Sequence, residues 1–224
     1  MEPKIYEYCD GNRFEVVLPS GFHWVKGTVD EGCVIENKIG DQFIRIPLGY
    51  TAEGLFVRGY WLSRYEISKG QNNMPRSIAG MEPWTNISYP SALIAAESVG
   101  ASIISREEYN RIPIWLLSTN AIKIDKLFVD GAGLGNFSEP FKPAKTGSNP
   151  DWMINNLDCF WGNCYTWTTE KSELYDHHIV IRGGHGSYGD LKDTPICRKR
   201  VSPELERNDI TFRIVIRDQR LNDD

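Results

Sequence analysis

The first third of the chain alternates short apolar runs with turn residues. Phe14–Pro19 (FEVVLP), Gly21–Thr28 (GFHWVKGT), Cys33–Asn37 (CVIEN) and Asp41–Leu48 (DQFIRIPL) are rich in β-branched and aromatic residues, and Gly and Asp punctuate them. That pattern predicts hairpins. Arg58–Ser68 (RGYWLSRYEIS) predicts another strand, with Tyr60 and Leu62 facing one way and Trp61, Ser63 and Tyr65 the other. Two stretches then switch to a helical period. Ser88–Gly100 (SYPSALIAAESVG) offers Ser88 or Ser91 as N-cap, an alanine-rich body and a glycine stop. Ser105 with Glu108 reads as a capping box opening a second helix, with Tyr109, Ile112 and Leu116 on one side. Pro113 lies inside that helix and predicts a kink or a late restart.

Asp130–Pro150 is loop by composition, rich in glycine and proline. Short strands return in Cys164–Glu170, His177–Gly184 and Ile210–Asp218, and the last is expected to pair with an early one. Strands, two helices, an irregular stretch and strands again make an α+β plan rather than βαβ.

Composition narrows the function. The net charge is -5, and the basic run Arg198–Arg200 is diluted by Glu204 and Glu206, which argues against a nucleic-acid partner. No apolar run reaches the roughly 18 residues of a membrane span, so membrane insertion is not expected. The opening MEPKIYEYCD has no signal-peptide pattern, so export by lysis or by assembly into a particle is the expectation. Cysteines stand at 9, 33, 159, 164 and 197 without a CxxC, which predicts reduced, buried thiols and no zinc site. His177 and His178 are adjacent, and neighbouring strand residues point to opposite faces, so a turn or strand edge fits them better than a metal. Asp130–Gly133 followed only by Glu139 is a weak calcium pattern. Neither a metal nor a cofactor is expected.

Ile181–Asp190 (IRGGHGSYGD) ends a predicted strand in glycines and continues with residues unsuited to a core. It belongs to a set of ordered segments: Tyr65–Ser68 (YEIS), Ile87–Ser88 with Ala92, Ser105 with Glu107 and Glu108, Gly162–Asn163 with Trp167, Arg182–Gly184, and Phe212–Arg213. In this order they resemble the formylglycine-generating enzyme (sulfatase-modifying factor) family, whose fold is a variant of the C-type lectin fold. The likeness covers about residues 58–217, and Gly21–Leu48 resembles the N-terminal part of prophage-encoded relatives.

The oxygen-dependent enzymes of that family use two nearby cysteines after the RGG motif. Here that region holds only Cys197, with Ser187 near the place of the first, while Thr166 and Thr211 replace a glutamate and a glycine of the pattern. A paired-thiolate oxidation is therefore not expected. The arrangement instead resembles the variable proteins of diversity-generating retroelements, in which the stretch from RGG to FR displays exchangeable residues on a fixed scaffold.

That resemblance implies a C-type lectin-like domain over 58–224, a β-rich extension over 1–57 and a ligand-binding region over 182–213. It implies contact residues His185, Ser187, Tyr188, Asp190, Lys199, Ser202, Glu204, Glu206, Asn208 and Asp209. The expected function is non-enzymatic ligand binding by a viral or prophage display protein on a virion or extracellular surface. Its mixed polar composition suits a protein or glycan partner, and a homo-oligomer or particle assembly is compatible with it. Two alternatives stay open: a metal-dependent oxidase or sulfoxide-forming enzyme of the family, and a structural particle subunit. Trp167, Phe212 and Arg213 are expected in the core, with Arg213 paired to a carboxylate or a carbonyl; Trp152 and Trp161 could line the contact face or the core.

Overall fold

The computed structural model describes residues 4–123, 136, 141–184 and 198–218. Along the chain, β1 (Ile5–Cys9) and β2 (Asn12–Val16) form a hairpin, followed by β3 (Phe22–Lys26), β4 (Val34–Asn37), β5 (Gln42–Ile46) and β6 (Tyr60–Ser63). Helix α1 (Tyr89–Glu97), strand β7 (Ser102–Ile103) and helix α2 (Arg106–Ser118) come next. The remaining principal strands are β8 (Tyr165–Lys171), β9 (Ile179–Gly183), β10 (Arg198–Val201), β11 (Ile210–Phe212) and β12 (Ile214–Arg217).

Two sheets organise β3 to β12. The larger is antiparallel in the order β7-β12-β6-β5-β4-β3, and the smaller runs β10-β9-β8-β11, with β8 and β11 parallel. The closing strand thus pairs with an early one, Val215 opposite Leu62. The hairpin strands β3 to β5 continue directly into β6, with Phe43 opposite Ser63. The sheet therefore runs across the 57/58 boundary expected from the sequence. All four residues of β6 are buried, because both faces of this central strand are covered.

Helix α1 presents Ala92, Ala95 and Ala96 to the core and contacts β7; small side chains let a helix lie close to a strand. Its end is marked by Gly100 at φ +69°, a conformation glycine adopts without strain. The capping box of α2 is formed: Ser105 Oγ accepts from Glu108 N at 3.2 Å, and Glu108 Oε2 accepts from Ser105 N at 2.8 Å. Glu108 also receives Arg217 at 2.6 and 2.9 Å, and its carbonyl accepts from Tyr60 Oη at 2.6 Å. One residue so fixes the start of α2 to β6 and β12. The helix runs from Arg106 through Pro113 to Ser118 as a single element, rather than restarting there. Pro113 is buried, so tertiary packing overrides the local cost of the missing amide.

The N-terminal hairpin is fastened by charge. Arg45 on β5 donates to Glu7 on β1 and, through both terminal nitrogens at 2.7 Å, to Asp218 just past β12. Glu7 and Arg45 are buried, Leu48 N donates to Glu7 Oε2 at 3.1 Å, and the guanidinium lies against the Trp61 ring. A buried pair of this kind is held by its hydrogen bonds, and removing one partner leaves an uncompensated charge.

Candidate contact surface

The RGG corner is built by β8 and β9, with Thr166 opposite Arg182 and Tyr165 opposite Gly183. Arg182 donates to Glu170 Oε2 from Nε at 2.9 Å and from Nη2 at 2.6 Å, both side chains being buried. Both N–H groups converge on one carboxylate oxygen, and this charge-assisted pair ties the end of β9 to β8. Gly184, at φ +100°, lies on the face of Tyr165: a Cβ there would stand 2.1 Å from the ring. Gly184→Ala should therefore cost about 1–3 kcal/mol through overpacking and backbone strain. Denaturant unfolding measures this, and an unchanged midpoint would show that the corner is not needed in this shape.

Past the corner, His185, Ser187, Tyr188 and Asp190, together with Cys197, lie outside the described residues. The chain is described again at β10, where Lys199 stands opposite Ile181. Its ammonium donates to Tyr165 Oη and lies 4.4 Å from that ring's centroid, so Lys199 is half-buried. The following stretch alternates: Ser202, Glu204, Glu206 and Asn208 are exposed, while Val201, Pro203, Leu205 and Arg207 are half-buried. Its backbone is pinned to the start of α1, because Tyr89 N donates to Pro203 O at 2.8 Å and Asn86 N to Arg207 O at 2.9 Å. Leu205 packs on the core. The result is a strip with fixed backbone and four outward side chains.

Asp209 departs from its expected role as an exposed contact. It is 2% exposed and accepts from Arg207, and its carbonyl receives Tyr165 N at 2.7 Å. The chain enters the parallel β8/β11 ladder at the next residue, so Asp209 is drawn beneath the surface.

Several of the motifs named in the sequence meet one another in the core. Glu66 accepts from Asn163 Nδ2 and from Cys164 N at 3.1 Å, joining YEIS to GN. Asn163, at φ +60°, accepts through Oδ1 from Ala144 N at 2.7 Å and from Asn136 Nδ2 at 3.1 Å. Trp167 Nε1 donates to Ile87 O at 3.0 Å, and Phe212 packs on Trp84. Arg213 stands between β11 and β12, where the chain leaves the smaller sheet for the larger. From Nη1 it donates to Ser63 O and Arg64 O, both at 3.1 Å, and from Nη2 to Asp158 O at 2.5 Å and Cys159 O at 3.1 Å. Trp167, Phe212 and Arg213 are all fully buried, as expected. Trp161 joins them in the core and Trp152 is half-buried.

Burial governs the ionisable groups of this centre. It pushes the Glu66 carboxyl up to about 7, against the lowering influence of Arg213 and the Asn163 hydrogen bond. It raises Asp158 as well, and it holds the Cys159 and Cys164 thiols well above their ordinary range. Both cysteines are thus protonated thiols at neutral pH and poor nucleophiles. His177 occupies an exposed turn at φ +66°, the turn reading of the histidine pair.

Sequence reasoning missed Tyr165, Glu170 and Arg207. Tyr165 is the platform beneath both Gly184 and Lys199, Glu170 is the partner of Arg182, and Arg207 holds Asp209. The one available signal was Tyr165, two positions before Trp167 and so on the same face of a strand.

PvdO from Pseudomonas aeruginosa superposes with a TM-score of 0.56 and 14% identity, over 81% of this chain and 97% of that one. CarF superposes with a TM-score of 0.59 and 14% identity, over 79% of this chain and 98% of that one. The chain has a C-type lectin-like fold. Variable protein 1 of Treponema denticola matches the same C-type lectin-like chain with a TM-score of 0.47 and 13% identity, over 90% of this chain and 100% of that one. No family model and no curated protein sequence matches it. Among the described residues of this C-type lectin-like chain, no helix is long and apolar enough to cross a membrane.

Proposed function

We propose that this chain is a ligand-binding display protein, whose C-type lectin-like scaffold carries exchangeable side chains over 182–213 to a protein or glycan on a target surface. One observation carries the reading. Ser202, Glu204, Glu206 and Asn208 point outward from a backbone anchored to α1, so their identities can change without disturbing the core. The order of RGG and FR around this strip, which resembles that of retroelement-diversified variable proteins, supports the same reading. His185, Ser187, Tyr188, Asp190 and Lys199 complete the proposed surface. A viral or prophage particle, or another extracellular surface, is the setting we propose for it.

Combined replacement of Ser202, Glu204, Glu206 and Asn208 by alanine should leave stability nearly unchanged, at about 0.5 kcal/mol or less per exposed site. A display library randomised at these four positions together with His185, Ser187, Tyr188 and Asp190 should remain folded and yield binders to new targets. Loss of folding across the library would sink the proposal. Stoichiometric copper or iron in protein purified without chelator would favour the oxidase alternative instead.

A further inference from the structure

A cleft of about 360 Å³ opens beside Trp84, lined chiefly by Lys69, Met81, Glu82, Trp84, Thr85 and Lys145. It uses none of the proposed contact residues. Two independent ladders build its walls. On one side Ser68 bridges to Pro83, and Trp84 N donates to Ile67 O at 2.7 Å. On the other, the buried Thr146 clamps the turn: its N donates to Met81 O at 2.9 Å, and its Oγ1 donates to Ile78 O at 2.7 Å. Gly80 N donates in turn to Thr146 O at 2.6 Å. Lys69 follows Ser68 and Lys145 precedes Thr146, so the anchored backbone of each wall carries one lysine that lines the cleft.

The lining is chemically particular. Trp84 is half-buried, tilted against Phe212 at 5.9 Å, with the Lys69 ammonium 5.3 Å from its ring centroid. That contact restrains Lys69 over the indole, which reduces the entropy lost on binding an anion. Among the described residues, no carboxylate pairs with Lys69 or Lys145. The Met81 thioether and the indole edge add apolar surface, while Glu82 and Thr85 add oxygen atoms that accept hydrogen bonds from hydroxyl groups. An inorganic anion would use only the two cations. The carboxylate side chains of an acidic peptide only accept hydrogen bonds, so they offer Glu82 no donor. A sugar ring bearing a carboxylate satisfies all of these groups: its acid meets the lysines, its hydroxyls donate to Glu82, and its C–H surface lies on the apolar edge.

The geometry points to a second binding site in this cleft, for a carboxylate-bearing saccharide such as a uronic or sialic acid unit. Titration calorimetry of the full chain with N-acetylneuraminic acid and digalacturonate tests it, with their methyl esters, hexaglutamate and inorganic phosphate as competitors. At least one of the two acids should bind, and its ester should bind at least tenfold more weakly. Replacing Lys69 and Lys145 together by alanine should lower that affinity at least tenfold. Both lysines are exposed, so the variant should unfold at the wild-type temperature. Glu82→Gln should weaken the saccharide and not phosphate. The four-alanine variant of the contact strip should bind the sugar normally, which separates this site from the proposed contact surface. Absence of binding by both acids, equal binding by the double lysine variant, or hexaglutamate binding as tightly as the saccharide would each overturn the assignment.

Discussion

Arg213→Ala is expected to lower the free energy of unfolding by about 3–5 kcal/mol, as for loss of a partner from a buried charged network. Chemical denaturation followed by circular dichroism measures it. The guanidinium is fully buried at the point where the chain changes sheets. It donates to four carbonyls from two separate segments, Ser63–Arg64 and Asp158–Cys159. Truncation leaves these carbonyls without their donor, and each desolvated acceptor costs about 1–3 kcal/mol, partly recovered by water. The same change removes the cation that favours the ionised forms of Glu66 and Asp158. Arg213→Lys keeps the charge but has one ammonium in place of a planar fork, so it should recover less than half of the loss. A lysine variant as stable as wild type would show that charge alone suffices at this corner.

The second large effect is a pH dependence centred on Glu66. Burial pushes this carboxyl from an ordinary 4.5 to about 7. The folded protein thus holds a proton across that window which the unfolded chain has released. Stability from this group is fully present below pH 4.5, falls as pH rises, and is gone above about 7. The gap corresponds to about 3 kcal/mol between the two ends of the window. Asp158 is raised by burial too and acts with the same sign. Urea midpoints of wild type and Glu66→Gln compared at pH 5 and pH 8 should therefore diverge, the wild type losing more stability at the alkaline end. Parallel losses in the two proteins would place the proton elsewhere.

Much of the fold was legible because local signals and tertiary structure agree. Ser105 and Glu108 form the capping box that their spacing announces, and the glycine after α1 stands where the helical pattern stops. The family-like motifs were legible as residues but not as a group. Nothing in the spacing of Glu66, Asn163 and Arg213 says that they meet, since their association depends on pairings between strands far apart in sequence. Where the reading failed, packing was the reason. Pro113 predicts a kink or a late restart, but α2 runs through it as one helix with Pro113 on its buried face. Asp209 has the composition of a surface residue, and its burial depends on Arg207 and on a parallel ladder that single-sequence patterns do not reveal. Four members of the contact strip were legible for the opposite reason: polar side chains on an irregular path beside Pro203 stay exposed.

The clasp of Glu7, Arg45 and Asp218 has a mechanical consequence. It ties a strand near the beginning of the chain to a residue near its end through one guanidinium on β5. Tension applied between these two regions is carried by the clasp and by the antiparallel sheet containing β5, β6 and β12, where it loads ion pairs and strand pairs together. The strip at 202–208 hangs from the other sheet and from the start of α1, off that line of force. A body tethered through its ends could be pulled hard while the surface it presents keeps its shape.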